Sequence, residues 1–116
     1  MRHHRAHRKF GRQTNQRRAF LQSLAEGLIR RGRIVTTEAR AKELKSFVEK
    51  LITLARRNSL ASHRLLVSRL GNAKRAERLV KTVAPKYKER PGGYTRLVKL
   101  PPRRGDSSPR ALIELI

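Results

Sequence analysis

The sequence contains no cysteine and no tryptophan, and its aromatic residues are three phenylalanines and two tyrosines. The absence of cysteine excludes disulfide bonds and thiolate zinc sites, which commonly stabilise small secreted proteins. No run approaches the roughly 18 apolar residues of a membrane span, and the basic N-terminal residues lack the apolar run of a signal peptide. Few aromatic anchors are available for a membrane-surface helix. These absences favour the cytosol or an organelle matrix and predict no membrane partner.

Acidic side chains are also scarce, because 8 Asp and Glu oppose 30 Lys and Arg and leave a formal charge of +22. Positive charges in such excess repel each other when the chain is compact. A nucleic-acid backbone neutralises it well, since each cation that pairs with a phosphate also releases condensed counterions. The apolar fraction of 37% in 116 residues is sufficient for one small core. The composition therefore predicts a single small domain that binds a polyanion.

The N-terminal residues form a block of cations, and the first acidic residue is Glu26. We predict an extended basic arm over residues 1–14 and one domain over residues 15–116. Arginine can grip a phosphate bidentately or stack on a base, which favours RNA contact over a solvated tail. His3, His4 and His7 lie among cations that oppose a metal dication, so base stacking is the favoured use of these rings.

Apolar periodicity predicts four helices and three strands. The predicted helices span about 15–31, 38–57, 60–70 and 73–84, and the predicted strands span about 33–37, 94–100 and 110–116. Pro85 ends the fourth helix because proline cannot continue it, and residues 86–93 follow as a basic loop. The apolar stripe from Leu44 to Ala55 is interpreted as core rather than as a docking face. The predicted fold class is α+β: a two-layer domain of about four helices packed on a small mixed or antiparallel sheet, with the N-terminal arm.

No arrangement of residues predicts catalysis, a metal site or a cofactor. Glu38 and Glu43 lie among cations on the second helix, where i, i+4 pairing and the helix dipole explain them. Gly92 and Gly93 precede a strand, unlike a nucleotide-binding loop, and indicate either a tight turn that RNA approaches or a plain chain reversal. Tyr94 either stacks on a base or packs at the start of the strand. We therefore predict that the protein is not an enzyme.

Several short motifs occur in an order typical of one family. They are Met1-Arg2-His3, Arg8-Lys9 with Arg12, Thr36-Thr37 before Ala41-Lys42-Glu43-Leu44, Ala84-Pro85 with Tyr87, Arg90 to Arg96, Arg103 to Asp106, and Ala111 to Leu115. With these motifs the chain resembles the bacterial large-subunit ribosomal protein seventeen family over essentially its whole length. The resemblance implies a two-layer α+β domain that binds large-subunit ribosomal RNA near the polypeptide exit region.

The charge pattern and the resemblance together predict a structural constituent of the large ribosomal subunit that stabilises rRNA by electrostatic and steric packing. The side chains predicted to contact RNA are Arg2, His3, Arg5, Arg8, Lys9, Arg12, Arg17, Arg18, Lys42, Lys86, Lys88, Arg90, Arg96, Arg103 and Arg104. Neighbouring large-subunit proteins are the other expected partners, and no small-molecule substrate is expected. The expected location is the cytoplasmic ribosome, with an organellar ribosome as the alternative. The alternative function is a DNA-binding architectural protein of the nucleoid type.

Overall fold

A computed structural model describes residues 14–116, so the arm predicted over residues 1–14 lies almost entirely outside the described residues. The elements are α1 (Thr14–Arg31), β1 (Arg33–Thr37), α2 (Glu38–Arg57), α3 (Leu60–Leu70), α4 (Ala73–Arg78), a π-helical turn (Leu79–Val83), a 3-10 turn (Ala84–Tyr87), β2 (Thr95–Leu100) and β3 (Arg110–Leu115). Helices and a small sheet thus share one domain, which confirms the predicted α+β class.

The three strands form one sheet in the order β1-β3-β2, and both pairings are antiparallel. β2 and β3 thus form an antiparallel hairpin, the pairing that the proline- and glycine-containing loop between them predicts. Ile113 in the central strand lies opposite Ile34 on one side and Leu97 on the other, and this row faces the helices. Side chains alternate between the two faces of a strand, so Ile113 is buried while Leu112 beside it lies on the face away from the core cluster.

Helix α2 is the centre of the domain, because it contacts all three strands on one side and α3 on the other. Helix α1 packs beside it over β1 and β3. The buried hydrophobic side chains of α2 are Ala41, Leu44, Val48, Leu51, Ile52, Leu54 and Ala55. The stripe between Leu44 and Ala55 therefore lies in the core, as its helical periodicity predicted.

The buried face of α3 differs from the one that its leucines suggest. Ser62, Leu66 and Leu70 are buried at four-residue spacing, whereas Leu65 is 45% exposed. Residues four apart on a helix lie on the same face, and Leu65 precedes Leu66 by one position, which turns it away from that face. Leu65 therefore lies outside the buried face of α3.

A capping box starts α3. The Ser59 hydroxyl accepts a hydrogen bond from the Ser62 backbone N–H at 3.1 Å, and the Ser62 hydroxyl accepts one from the Ser59 N–H at 3.0 Å. We expect Ser59→Ala to lower the free energy of unfolding by about 1 kcal/mol, because the helix then loses a partner for its free N–H groups. Urea denaturation measures this, with the exposed Ser68→Ala as the control on the same helix. Equal losses in both variants would contradict a role for the cap.

The helical path does not end at Pro85 as predicted. Helix α4 ends at Arg78, but the chain continues through a π-helical turn, in which the Ala84 N–H donates to the Leu79 carbonyl, and then through a 3-10 turn that contains Pro85. Proline is tolerated in a first helical turn, where its missing N–H would have no partner in any case. The wider π turn rearranges the backbone bonds before Pro85, so the predicted loop at residues 86–93 begins instead as helix.

Candidate nucleic-acid interface

Six of the side chains predicted to contact RNA lie outside the described residues. They are Arg2, His3, Arg5, Arg8, Lys9 and Arg12. The histidines His4 and His7, considered above as possible metal ligands, lie there as well. The interface described below is therefore built from the cations of residues 14–116.

Two predicted cations lie at the start of α1. Arg18 is exposed and Arg17 is partly buried. One turn later, the Phe20 ring lies 4.8 Å from the guanidinium carbon of Arg40, which is in the first turn of α2. This contact places Arg17 and Arg18 near the end of the domain at which α2 begins.

Lys42 lies at the same end, on the exposed side of α2. Its Nζ is 3.0 Å from Glu38 Oε1, and this hydrogen bond lowers the pKa of Glu38. The Glu38 backbone N–H donates to the Pro109 carbonyl at 3.1 Å, which holds the loop between β2 and β3 against the start of α2. An exposed ion pair of this kind contributes little stability, so Lys42 can exchange Glu38 for a phosphate at small cost.

The loop between β2 and β3 presents its two arginines differently. Arg103 makes a bidentate pair with Asp106, with Nε 3.2 Å from Oδ1 and Nη2 2.6 Å from Oδ2. Asp106 Oδ1 also accepts the Ser108 N–H at 3.0 Å, so the turn is tied together locally. Arg104 is exposed and forms no ion pair with another described residue. Of this pair of arginines, Arg104 is the one available to an external phosphate.

The Arg103 guanidinium beside Asp106 holds the pKa of that carboxyl well below its usual range. Because folding lowers the pKa of this carboxyl, its pairing stabilises the folded protein at pH values above the pKa of the unfolded state. This stabilisation is lost as the pH falls through the pKa of the folded state. We expect Arg103→Gln to raise the pKa of Asp106 toward its ordinary value of 3.8. An NMR titration of the carboxyl measures the change, and Arg104→Gln is the control that should leave it unaltered. Identical titrations in the wild type and Arg103→Gln would refute the pairing.

A second group of predicted cations lies at the other end of β2. Lys86 is in the 3-10 turn, and Lys88 and Arg90 follow it, all three exposed. The Arg56 guanidinium donates to the Lys88 carbonyl at 3.1 Å, and the Arg90 N–H donates to the Tyr87 carbonyl at 3.0 Å. The backbone is thus held against α2, and none of the three cationic side chains forms an ion pair within residues 14–116.

Arg96 lies on β2 between these two groups and forms an ion pair with Glu114 on the adjacent strand. Strand β2 has six residues, and the five steps between them, at about 3.3 Å each, separate its ends by roughly 17 Å. The structure therefore brings Lys42 and Arg104 to one end of the sheet and Lys88 and Arg90 to the other. It does not gather the predicted cations into one patch.

Tyr94 is packed in the core and does not present its ring for stacking on a base. It is 1% exposed, and its ring meets that of Tyr87 edge-on at 5.2 Å. Its hydroxyl accepts a hydrogen bond from Arg56 Nη1 at 2.9 Å, and its backbone N–H donates to the Glu49 carboxylate at 2.9 Å. Because that N–H points at Glu49 instead of a neighbouring strand, β2 begins one residue later, at Thr95.

Sequence reasoning missed a cleft between α2, α3 and the loop before β2. This cleft, of about 350 Å³, is lined by Lys50, Arg57 and Arg69 together with Gly92 and Gly93. Lys50 and Arg57 are seven residues apart in α2, so their shared face could have been found from helical spacing. Arg69 comes from α3 and joins them only through the packing of the two helices.

The described part of the chain offers neither a metal cluster nor a membrane span. Among residues 14–116, no group of three or more His, Cys, Asp or Glu side chains could hold a metal ion. None of the helices within that range combines the length and apolar character needed to cross a membrane.

Comparison with known proteins identifies the family. A model described as ribosomal protein L17 matches residues 20–116. The chain belongs to the ribosomal protein L17 family. The large ribosomal subunit protein bL17 of Thermoanaerobacter sp. (strain X514) is 48% identical over 110 residues, covering 95% of this chain and 98% of the relative. The protein of the same name from Sulfurimonas denitrificans is 46% identical over 116 residues and is covered completely, as is this chain.

The ribosomal protein L17 family is a structural, non-enzymatic family, which agrees with the expected absence of catalysis. The resemblance inferred from the short motifs is confirmed. The family match begins at residue 20 and spans the described domain from within α1 to the end of β3. It leaves the basic N-terminal arm outside the matched range.

Proposed function

We propose that the protein is a structural constituent of the large ribosomal subunit and binds large-subunit rRNA. Membership of the L17 family carries this proposal, together with relatives named large ribosomal subunit protein over nearly the full chain. The charge supports it, since 8 acidic residues cannot neutralise 30 Lys and Arg. Cations that remain without an internal partner require an external polyanion, and an RNA backbone supplies one phosphate per nucleotide.

The mechanism that we propose is bridging. The two groups of cations lie at opposite ends of β2, a strand roughly 17 Å long, so they can contact separate RNA segments rather than one backbone. By neutralising both segments, the domain lowers the repulsion that opposes their close approach. Its helices and sheet keep the spacing between the two contacts fixed. The arm adds a third contact that can follow a groove.

Location and neighbours follow from the same proposal. The protein would reside in cytoplasmic ribosomes, where neighbouring large-subunit proteins are its other partners. The position near the polypeptide exit region is implied by the family resemblance and remains a prediction. The alternative of a DNA-binding architectural protein gains no support from the family match.

Sedimentation after nuclease treatment tests the proposed function. We expect the full chain to sediment with large ribosomal subunits after DNase treatment and to be released by RNase treatment. Mock digestion and an established subunit protein serve as controls. Release by DNase alone would overturn the proposal and favour the DNA-binding alternative.

A further inference from the structure

The cleft described above is cationic on opposite walls. Lys50 and Arg57 project from one face of α2, two turns and about 10 Å apart, and Arg69 lies in the last turn of α3. None of the three side chains forms an ion pair with another residue in the range 14–116. Three cations and one carboxylate, Glu49, line this concave space, which therefore keeps a net positive charge. The cations repel each other, and a bound anion relieves that repulsion.

The loop that closes the cleft is already held in place. Glu49 Oε2 accepts the Tyr94 N–H at 2.9 Å, and Arg56 binds both the Tyr94 hydroxyl and the Lys88 carbonyl. These bonds join α2 to the segment on either side of the two glycines. A ligand that enters the cleft therefore does not have to order the loop, which reduces the entropic cost of binding.

The two glycines leave the rim of the cleft open. Gly93 has φ +64°, a left-handed conformation that a side chain rarely adopts, and a Cβ built at Gly92 or Gly93 meets no atom within 4 Å. The backbone is thus bare at the entrance, and a ligand can approach its peptide groups directly. Glycine at these two positions keeps the entrance wide without weakening a packed contact.

The remaining lining supplies acceptors for a sugar. Glu49 uses Oε2 for the Tyr94 N–H, which leaves the other carboxylate oxygen able to accept a further bond. Thr53 lies one turn along the same face of α2 and also lines the cleft; its hydroxyl donates to the Glu49 carbonyl at 3.0 Å, and the hydroxyl oxygen can still accept a bond. Cations for a phosphate and oxygens for a ribose hydroxyl therefore meet in one space. Its volume, about 350 Å³, is near the lower limit of small-ligand sites, which span about 300 to 1,000 Å³.

We propose that this cleft holds one unstacked ribonucleotide of a single-stranded rRNA segment, with its phosphate between Lys50, Arg57 and Arg69 and its ribose 2′-hydroxyl donating to Glu49. This assignment rests on the proposed function, since it names a particular contact with rRNA. Unstacked nucleotides in loops and bulges are the usual targets of specific RNA recognition, and the 2′-hydroxyl distinguishes RNA from DNA. The cleft thus provides selectivity that charge alone does not.

The test compares two full-length variants that lose the same charge. The cleft variant carries Lys50→Gln, Arg57→Gln and Arg69→Gln, and the control variant carries Arg64→Gln, Lys74→Gln and Arg78→Gln, three exposed cations without an internal ion pair within residues 14–116. Affinity is measured at fixed salt for large-subunit rRNA, for a single-stranded RNA oligonucleotide and for DNA of the same sequence. Thermal melting shows that each variant is folded, and the three single cleft substitutions are measured beside the triple variant.

We expect the cleft variant to bind the RNA oligonucleotide roughly 10-fold or more weakly and the control variant to weaken much less, because seated charge-assisted hydrogen bonds exceed diffuse attraction. We also expect the wild type to prefer the RNA to the DNA oligonucleotide and the cleft variant to lack this preference. Equal weakening in both variants, or no preference in the wild type, would overturn the cleft site while rRNA binding stands. A wild type that fails to bind rRNA at all would overturn the proposed function and the cleft together.

Discussion

Leu51→Ala lowers the free energy of unfolding by about 2 to 5 kcal/mol, the usual range for truncating a fully buried leucine. Leu51 is 0% exposed and lies on the central helix α2, between the sheet and α3. The substitution leaves a cavity that rigid neighbours on both sides cannot fill by collapsing. Urea denaturation followed by circular dichroism measures the change, which is a large part of the roughly 5 to 15 kcal/mol typical of a whole domain.

Leu65→Ala is the matched control, because it removes the same atoms from a leucine that is 45% exposed. Surface substitutions usually change stability by less than about 0.5 kcal/mol, so the two variants should differ clearly. If both variants were destabilised equally, α2 would not supply the core and the two-layer packing described above would be incorrect.

Deletion of residues 1–13 produces the other large effect, on RNA binding. The segment contains five lysines and arginines, namely Arg2, Arg5, Arg8, Lys9 and Arg12. Removing one phosphate contact reduces the log–log salt slope by about 0.7 to 0.9, so removing all five flattens the slope by about 3.5 to 4.5. Titration of large-subunit rRNA at several salt concentrations measures both the affinity and this slope.

The deletion should leave the fold intact, because Met1, Ala6 and Phe10 are the only apolar side chains of residues 1–13, whereas the described domain has a core cluster of its own. Circular dichroism and melting temperature check this expectation. A full-length variant with the five arm cations changed to glutamine separates the effect of charge from that of chain length. Undiminished affinity and slope after deletion would identify the arm as a solvated tail. Unfolding would place it within the domain.

The features that the sequence predicts well are periodic or local. The α2 stripe repeats at helical spacing over three turns, and the hairpin of β2 and β3 has proline and glycine in its connection. The ion pair between Lys42 and Glu38 also follows from i, i+4 spacing alone. In each case the relevant contacts lie within a few residues of one another, so the pattern is visible without the fold.

The features that the sequence predicts poorly depend on residues far apart in the chain. Glu49 and Tyr94 are 45 positions apart, and their hydrogen bond, together with those of Arg56, shows that the glycine loop closes over α2. Arg69 reaches the cleft through helix packing, which no spacing rule encodes. Pro85 illustrates a different limit, since a helix-breaking residue was accommodated by a change in helical pitch.

The position of β3 in the sheet affects how the chain folds during synthesis. The central strand of the sheet follows both of its neighbours in the sequence, and every element from α2 to β2 separates it from β1. Both edges of the sheet are therefore translated before the strand that joins them, and neither has its ladder partner until then. A growing chain stopped before Arg110 presents Ile34 and Leu97 without Ile113 between them. Closing this long loop is the slow, high-contact-order step, and it leaves the incomplete chain most prone to aggregation just before it finishes folding.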